Sequence, residues 1–315
     1  MKILGTGSSL PKMQVTNDDL SKFLDTNDEW IFPRTGIKSR HIISSEKLED
    51  LAVDAARKAL DDAGVAAGEL DMLICSNVVN EFITPSLSCI VASKLGISCP
   101  CFDINCACPG FIYAMDMADS YFRCGKVRKV LIVCAEEPTR MIDWSDRSTC
   151  VLFGDGAGAA VFGEGDNLLG TRLSAQPDPD KLYEIHKLQP TPYITKEEAD
   201  VPLVMKGREV FKFAVTTSSR DITDILASTG ITPDQVSYYM IHQANLRIID
   251  GIREHLGVAP EKFPTNIRDH GNSSSASCPI LLDECNRAGM FKKGDILVFS
   301  AFGAGLLSAT AVLEW

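Results

Sequence analysis

The chain has 315 residues, more than one typical core, so two domains or one duplicated unit is expected. An apolar fraction of 45% with 23% charged residues describes an ordinary globular protein, and no apolar run approaches the ~18 residues of a membrane span. The formal charge of −11 argues against broad nucleic-acid binding, and Met1 to Gly7 lacks a signal-peptide layout, so a cytoplasmic protein is expected.

In chain order, a short N-terminal strand precedes a helix opened by Thr16-Asn17-Asp18-Asp19, the segment Asp25 to Trp30 and a turn at Arg34-Thr35-Gly36-Ile37. An amphipathic helix runs from about Leu48 to Ala63, with Leu51, Ala52, Ala55, Ala56, Ala59 and Leu60 on one face and Gly64 after its end. The strand Asp71 to Ser76 follows, then a helix from Ser86 to Leu95, a strand from Cys101 to Ile104 and a helix beginning at Phe111. Val130 to Ala135 is a continuous apolar strand of the kind buried on both faces. Such alternation means an α/β sheet with helices on its faces.

The second half repeats this order. Ala59 to Val65 overlays Ile225 to Ile231 with a shift of 166 residues and no gap, and the same shift carries Glu69 to Ile74 onto Gln235 to Met240. Phe153 to Val161 is echoed by Phe302-Gly303-Ala304-Gly305 and the strand after it. The chain therefore reads as two copies of one α/β unit, 1–166 and 167–315, with residues 174 to 202 a Pro- and acid-rich surface excursion.

Eleven cysteines, nine of them before residue 151, suit reduced thiols better than a disulfide framework. Cys99, Cys101, Cys106 and Cys108 invite a metal, but Cys-x-Cys pairs with Pro100 on a strand lack the turn spacing of a structural zinc site. Cys108 instead sits where a strand ends and a helix begins, and unpaired N–H groups at a helix N-terminus favour a thiolate. Three later segments join it at strand ends: His242-Gln243-Ala244-Asn245, the loop His270 to Ser277 opening a helix from Ile280 to Ala288, and the Gly-rich turn Ala301 to Gly305. Strand ends of an open α/β sheet face one crevice, so these side chains can converge. Taken singly, each has an ordinary structural explanation as a buried thiol, a satisfied histidine or a turn residue.

Asp103 to Phe111, Pro85-Ser86, Phe153 to Ala160, His242 to Arg247, His270-Gly271-Asn272 and Ala301 to Gly305 together resemble the beta-ketoacyl-acyl-carrier-protein synthase III family along essentially the whole chain. The resemblance implies the thiolase fold, two α-β-α-β-α halves in five layers, as a homodimer. It implies a decarboxylative Claisen condensation that initiates fatty acid synthesis, with acyl-CoA as substrate, malonyl-ACP (acyl carrier protein) as partner, and neither a cofactor nor a metal. Cys108 would carry the acyl group, and His242 and Asn272 would stabilise the enolate. The oxyanion would sit against the backbone of Cys108 and Ala304, and Phe302 would wall the site.

The same resemblance places CoA against Trp30, Arg34, Arg147 and Asn245, and carrier docking on Lys212, Arg247 and Arg253. The chain departs from the family at Arg208, Glu254 and His255, where asparagine and lysines are usual, and at Ala304, usually glycine; Pro109 after the nucleophile is also unusual. Thr84 stands where acetyl-restricted members carry Phe in the acyl-pocket loop, which implies medium or long primers. The alternative is a synthase III-like enzyme of secondary metabolism, of polyketide or quinolone type, with another acceptor. An HMG-CoA-synthase-like reaction is disfavoured because Val78 falls where that chemistry needs Glu. A non-catalytic partner subunit and a cysteine-based redox or metal sensor are the remaining classes.

Overall fold

The computed structural model describes residues 1–188, 191–193 and 199–315. The first half comprises β1 (Lys2–Ser9), β2 (Met13–Thr16), α1 (Asn17–Leu20), α2 (Asp28–Thr35), β3 (Ser39–Ile42) and α3 (Leu48–Ala63). It continues with β4 (Met72–Ser76), α4 (Leu87–Leu95), β5 (Cys101–Ile104), α5 (Gly110–Arg123), β6 (Lys129–Glu136) and β7 (Gly156–Gly163). The second half starts with β8 (Leu168–Ala175), β9 (Leu182–Ile185), β10 (Val201–Met205), α6 (Gly207–Thr229), β11 (Val236–Ile241) and α7 (Leu246–Leu256). Its last elements are α8 (Ile267–His270), α9 (Ser277–Arg287), β12 (Ile296–Gly303) and β13 (Leu307–Glu314).

One sheet has the order β1-β7-β6-β4-β5 and the other β11-β12-β13-β8. Reading β1, β7, β6, β4 beside β8, β13, β12, β11 gives the same order with the same directions, one parallel pair and two antiparallel ones in each. The apolar runs Val130 to Ala135 and Leu297 to Phe302 are buried throughout, because helices cover both faces of each sheet. Three apolar clusters account for five layers. One joins α3 and α4 to the outer face of the first sheet, and another joins α6 and α7 to the outer face of the second. The third lies between the sheets and holds α5 and α9. These two central helices are counterparts in the duplication, each preceding the inner parallel strand of its own half.

Two boundaries differ from the sequence expectation. Helix α2 extends through Thr35 and stops at Gly36, whose φ of +78° suits glycine, and a Cβ there would lie 2.5 Å from Leu246 Cβ at the start of α7. Helix α9 begins at Ser277, three residues before Ile280, because Pro279 falls in the first turn, where no intrahelical N–H bond is lost. The 174–202 excursion holds the β9/β10 hairpin, and Leu182, Leu203 and Met205 of that hairpin border the main cavity. Residues 189, 190 and 194–198 of the excursion lie outside the described residues.

Candidate active site

Between β5 and α5 the chain turns sharply. Asn105 Oδ1 accepts the Ala107 N–H at 3.3 Å, Ala107 takes φ +49°, and Pro109 caps α5. Cys108 thus sits on a constrained corner against the end of β12. A Cβ on Gly303 would stand 2.9 Å from the Cys108 backbone N, so the contact requires glycine there. The backbone N–H groups of Cys108 and Ala304 hydrogen-bond to no other residue among the described residues, and both residues line the cavity. They can receive an oxyanion.

Burial, with a smaller repulsion from Glu136, pushes the Cys108 thiol up to about 12, against a hydrogen bond from Ser274 that acts the other way. Cys108 is nonetheless only half-buried and stands just before α5, whose unpaired N–H groups pull toward the thiolate.

His242 follows β11 and is 1% exposed. Its backbone N–H donates to Ser300 O on β12 at 2.8 Å, and its Nδ1 lies 2.6 Å from Ser277 Oγ at the start of α9. Ser277 Oγ already accepts the Gln243 N–H at 3.2 Å, so its own proton is free to satisfy Nδ1. That assignment leaves the imidazole proton on Nε2, directed to the cavity. Burial holds the ring neutral, with its pKa lowered to about 3. The ring packs edge-on against Phe302 at 5.3 Å.

Asn272 is fixed from three sides. Its N–H donates to Leu152 O at 2.8 Å, its C=O accepts from Gly154 N at 3.1 Å, and its Oδ1 accepts from Ser274 N at 2.9 Å. Its Nδ2 has no protein partner among the described residues and is left for the cavity it borders. Cys108, His242, Asn272, Phe302 and Ala304 therefore line one cavity of about 1170 Å³. A thiol, an imidazole N–H, an amide N–H and two free backbone N–H groups converge there, with no charged donor among them. Such a set suits a reaction in which negative charge moves between thioester oxygens.

Glu136, at the end of β6, was not anticipated as part of this floor. It is 1% exposed and accepts from Val78 N at 3.1 Å, Ser275 Oγ at 2.5 Å and Ser274 Oγ at 3.3 Å. Its sequence signal was faint: an acid that ends an unbroken apolar strand.

The family is settled by comparison with known proteins. A model described as 3-oxoacyl-[acyl-carrier-protein (ACP)] synthase III matches residues 102–177, and its C-terminal counterpart matches residues 226–315. The beta-ketoacyl-[acyl-carrier-protein] synthase III of Neisseria meningitidis serogroup C is 42% identical over 325 residues, covering 100% of this chain and 99% of that protein. The chain belongs to the beta-ketoacyl-[acyl-carrier-protein] synthase III family. Two solved structures share its fold over nearly their full lengths. The 3-oxoacyl-[acyl-carrier-protein] synthase III of Aquifex aeolicus superposes with TM-score 0.92 at 40% identity, over 100% of this chain and 99% of that one. The priming beta-ketosynthase of the R1128 polyketide pathway superposes with TM-score 0.93 at 36% identity, over 99% and 95%.

In this synthase III chain the cavity opens toward α2. The Trp30 indole has two guanidinium groups over it, Arg34 at 4.8 Å and Arg147 at 5.0 Å, and Arg147 is anchored to the Asp25 carbonyl. Trp30, Arg34 and Asn245 border the cavity. Asn245 already caps α7 through Arg247 N at 2.9 Å and donates to Arg34 O at 3.1 Å, so it ties α2 to α7. The expected docking cations do not act alike. Lys212 and Arg247 are exposed, but Arg253 is drawn to Asp250 and Glu254, each at 3.5 Å. The groove of about 510 Å³ beside them has Asp250 and Glu254 facing Arg247 and His255.

Thr84 is exposed and does not border the cavity of its own chain. Its neighbours Phe82 and Ile83 do, and Ile83 is 89% exposed. Among the described residues no group of three His, Cys, Asp or Glu side chains is placed to hold a metal ion, and no helix is long and apolar enough to cross a membrane.

Proposed function

We propose that the chain condenses an acyl-CoA primer with malonyl-ACP, the first carbon–carbon bond of fatty acid synthesis. The observation that carries this is the single cavity shared by Cys108, His242 and Asn272. Cys108 sulfur attacks the acyl thioester carbon, its oxyanion held by the N–H groups of Cys108 and Ala304, and CoA leaves as a thiol. Malonyl-ACP then enters and loses CO2. The resulting enolate oxygen accepts from His242 Nε2–H and Asn272 Nδ2–H, and its carbon attacks the Cys108 thioester. Trp30, Arg34 and Arg147 hold the CoA nucleotide, and Lys212 and Arg247 meet the acidic carrier. Mass spectrometry after mixing with acyl-CoA tests the first step. One acyl adduct on Cys108, absent in Cys108→Ala, is expected; no adduct on the parent chain overturns the proposal.

Among the described residues strand β5 has no second neighbour, and the apolar side chain of Ile83, in the loop before α4, is 89% exposed. An unpaired edge beside an exposed apolar loop supports a homodimer joined at β5. In that assembly Thr84 reaches the partner's acyl pocket, where a small side chain leaves room for longer primers. Octanoyl-CoA is expected to acylate Cys108 at a rate comparable to acetyl-CoA, measured by single-turnover CoA release; a strict acetyl preference removes the primer assignment. A polyketide-type acceptor is the second reading, favoured by the acids facing Arg247 in the docking groove. Malonyl-ACP assayed against malonyl-CoA separates the two. A chain working in the cytoplasm accords with both.

A further inference from the structure

The main cavity is not apolar throughout. Strands β4 and β6 are parallel neighbours, so the loops leaving their C-terminal ends lie side by side, and they place Asn77, Asn80, Glu81, Glu137 and Arg140 on the cavity wall. Most of these are already satisfied or open to solvent. Asn77 donates to Ala135 O at 2.7 Å and accepts from Asn80 at 3.2 Å, while Glu81 and Arg140 are exposed. Glu137 is the exception. It is 8% exposed, no N–H or O–H among the described residues donates to its carboxyl, and Arg140 Nη1 stands off at 3.8 Å, beyond hydrogen-bond reach. The neighbouring Glu136, by contrast, has three donors.

A buried carboxyl without a donor is unfavourable unless the molecule that fills the cavity supplies one. A plain hydrocarbon chain displaces water from Glu137 and offers nothing in exchange. A hydroxyl on that chain offers an O–H to a carboxylate and a lone pair to a carboxylic acid. Both forms are present near neutrality, because burial, and then repulsion from Asp155, raises the Glu137 pKa to about 7. An ammonium group would pair with only one of them.

Resting on the reading that this cavity receives the acyl chain of a CoA primer, we propose that Glu137 selects primers whose chain carries a hydroxyl group. Leu182, Leu203 and Met205 of the β9/β10 hairpin line the same cavity and suit the methylenes, while Glu137 takes the hydroxyl. The cavity thus reads two features of a primer, its length through apolar side chains and its hydroxylation through one carboxyl. No bond to the hydroxyl is made or broken. Glu137 acts on the binding of the chain and not on the bonds at the Cys108 sulfur.

The test measures the second-order rate constant for acylation of Cys108, read as CoA release, with octanoyl-CoA and with its 3-, 5- and 8-hydroxy derivatives. The full chain is compared with Glu137→Leu and Glu137→Gln. In the parent, at least one hydroxy derivative should exceed octanoyl-CoA by roughly 10–100-fold, the strength of a hydrogen bond to a charged group. In Glu137→Leu that ratio falls to about one, and octanoyl-CoA itself reacts about threefold faster or more, because no unpaired carboxyl meets the chain. Glu137→Gln, whose amide still donates and accepts, keeps a ratio of roughly tenfold. Each ratio is taken within one variant, so a loss of folded protein cancels. A parent without the preference overturns the inference, and so does a preference that survives in Glu137→Leu while both substrates slow by one factor, the mark of a structural role. A parent that octanoyl-CoA acylates without any hydroxyl preference leaves the condensation proposal standing, whereas one that no acyl-CoA acylates removes both.

Discussion

The two ends of the cavity are built on opposite principles. At the mouth, the exposed cations Arg34 and Arg147 flank the half-buried Trp30 ring, a set that recognises by charge and stacking. At the floor, His242 and Asn272 are buried and Cys108 half-buried, and each is oriented by a neighbour: Ser274, Ser277 or the Leu152–Gly154 segment. Recognition tolerates water, which screens the arginines and leaves them adaptable. Stabilising an enolate does not, because dipoles aimed at developing charge are strongest where water is excluded. A change at the floor should therefore appear in the chemical step and one at the mouth in binding.

The sharpest break of that contrast comes from the floor donors. His242→Ala and Asn272→Ala should each slow malonyl-thioester decarboxylation by about 10²–10³-fold, read as CO2 release, with acylation of Cys108 within tenfold of the parent. An equal loss in both steps would mean that the donors only hold the fold together. At the mouth, Trp30→Ala should raise KM for acyl-CoA about tenfold, the worth of a stacked cation–aromatic site, and leave kcat within twofold in steady-state assays. A fall in kcat with KM unchanged would erase the distinction between the ends.

The smallest effect concerns stability against pH. Burial depresses the His242 pKa from 6.5 to about 3, so the unfolded chain binds a proton that the folded one refuses, and stability declines as pH falls from 6.5 toward 3. Glu136 has the opposite sign: its raised pKa gives a contribution present below 4.5 and lost as pH rises through about 7. In thermal melts, His242→Gln should flatten the acid side of the Tm profile by a few degrees, and Glu136→Gln the neutral side. Parallel profiles for parent and variants would argue that both groups are wetter than their burial implies.

Much of this was legible in the sequence, for identifiable reasons. The duplication could be read because Ala59 to Val65 and Ile225 to Ile231 end equivalent helices, and a covered face keeps its apolar period in both copies. The nucleophile corner could be read because a strand, small residues and a helix start leave one conformation for Cys108. The surroundings of that thiol were not legible, since a sequence reveals the helix start and not the side chains packed against the sulfur. Glu136 escaped for the same reason: next to Glu137 it reads as the polar exit of a strand, and the hydroxyls holding it come from residues 274 and 275, about 140 positions away. Thr84 shows the complementary limit, where family position named a pocket that one chain does not close.

The central layer has a consequence for how such a site changes over time. Helices α5 and α9 are each wedged against both sheets, so the corner bearing the sulfur and the loop bearing the carboxamide hang from a common beam. A side chain enlarged on the inner face of either sheet displaces both supports in concert, and the separation between sulfur and carboxamide is buffered against drift elsewhere. The walls around them, carried on the β9/β10 hairpin and the loop through Ile83, share no such support and are free to be recut for a new acyl chain without retuning the reaction.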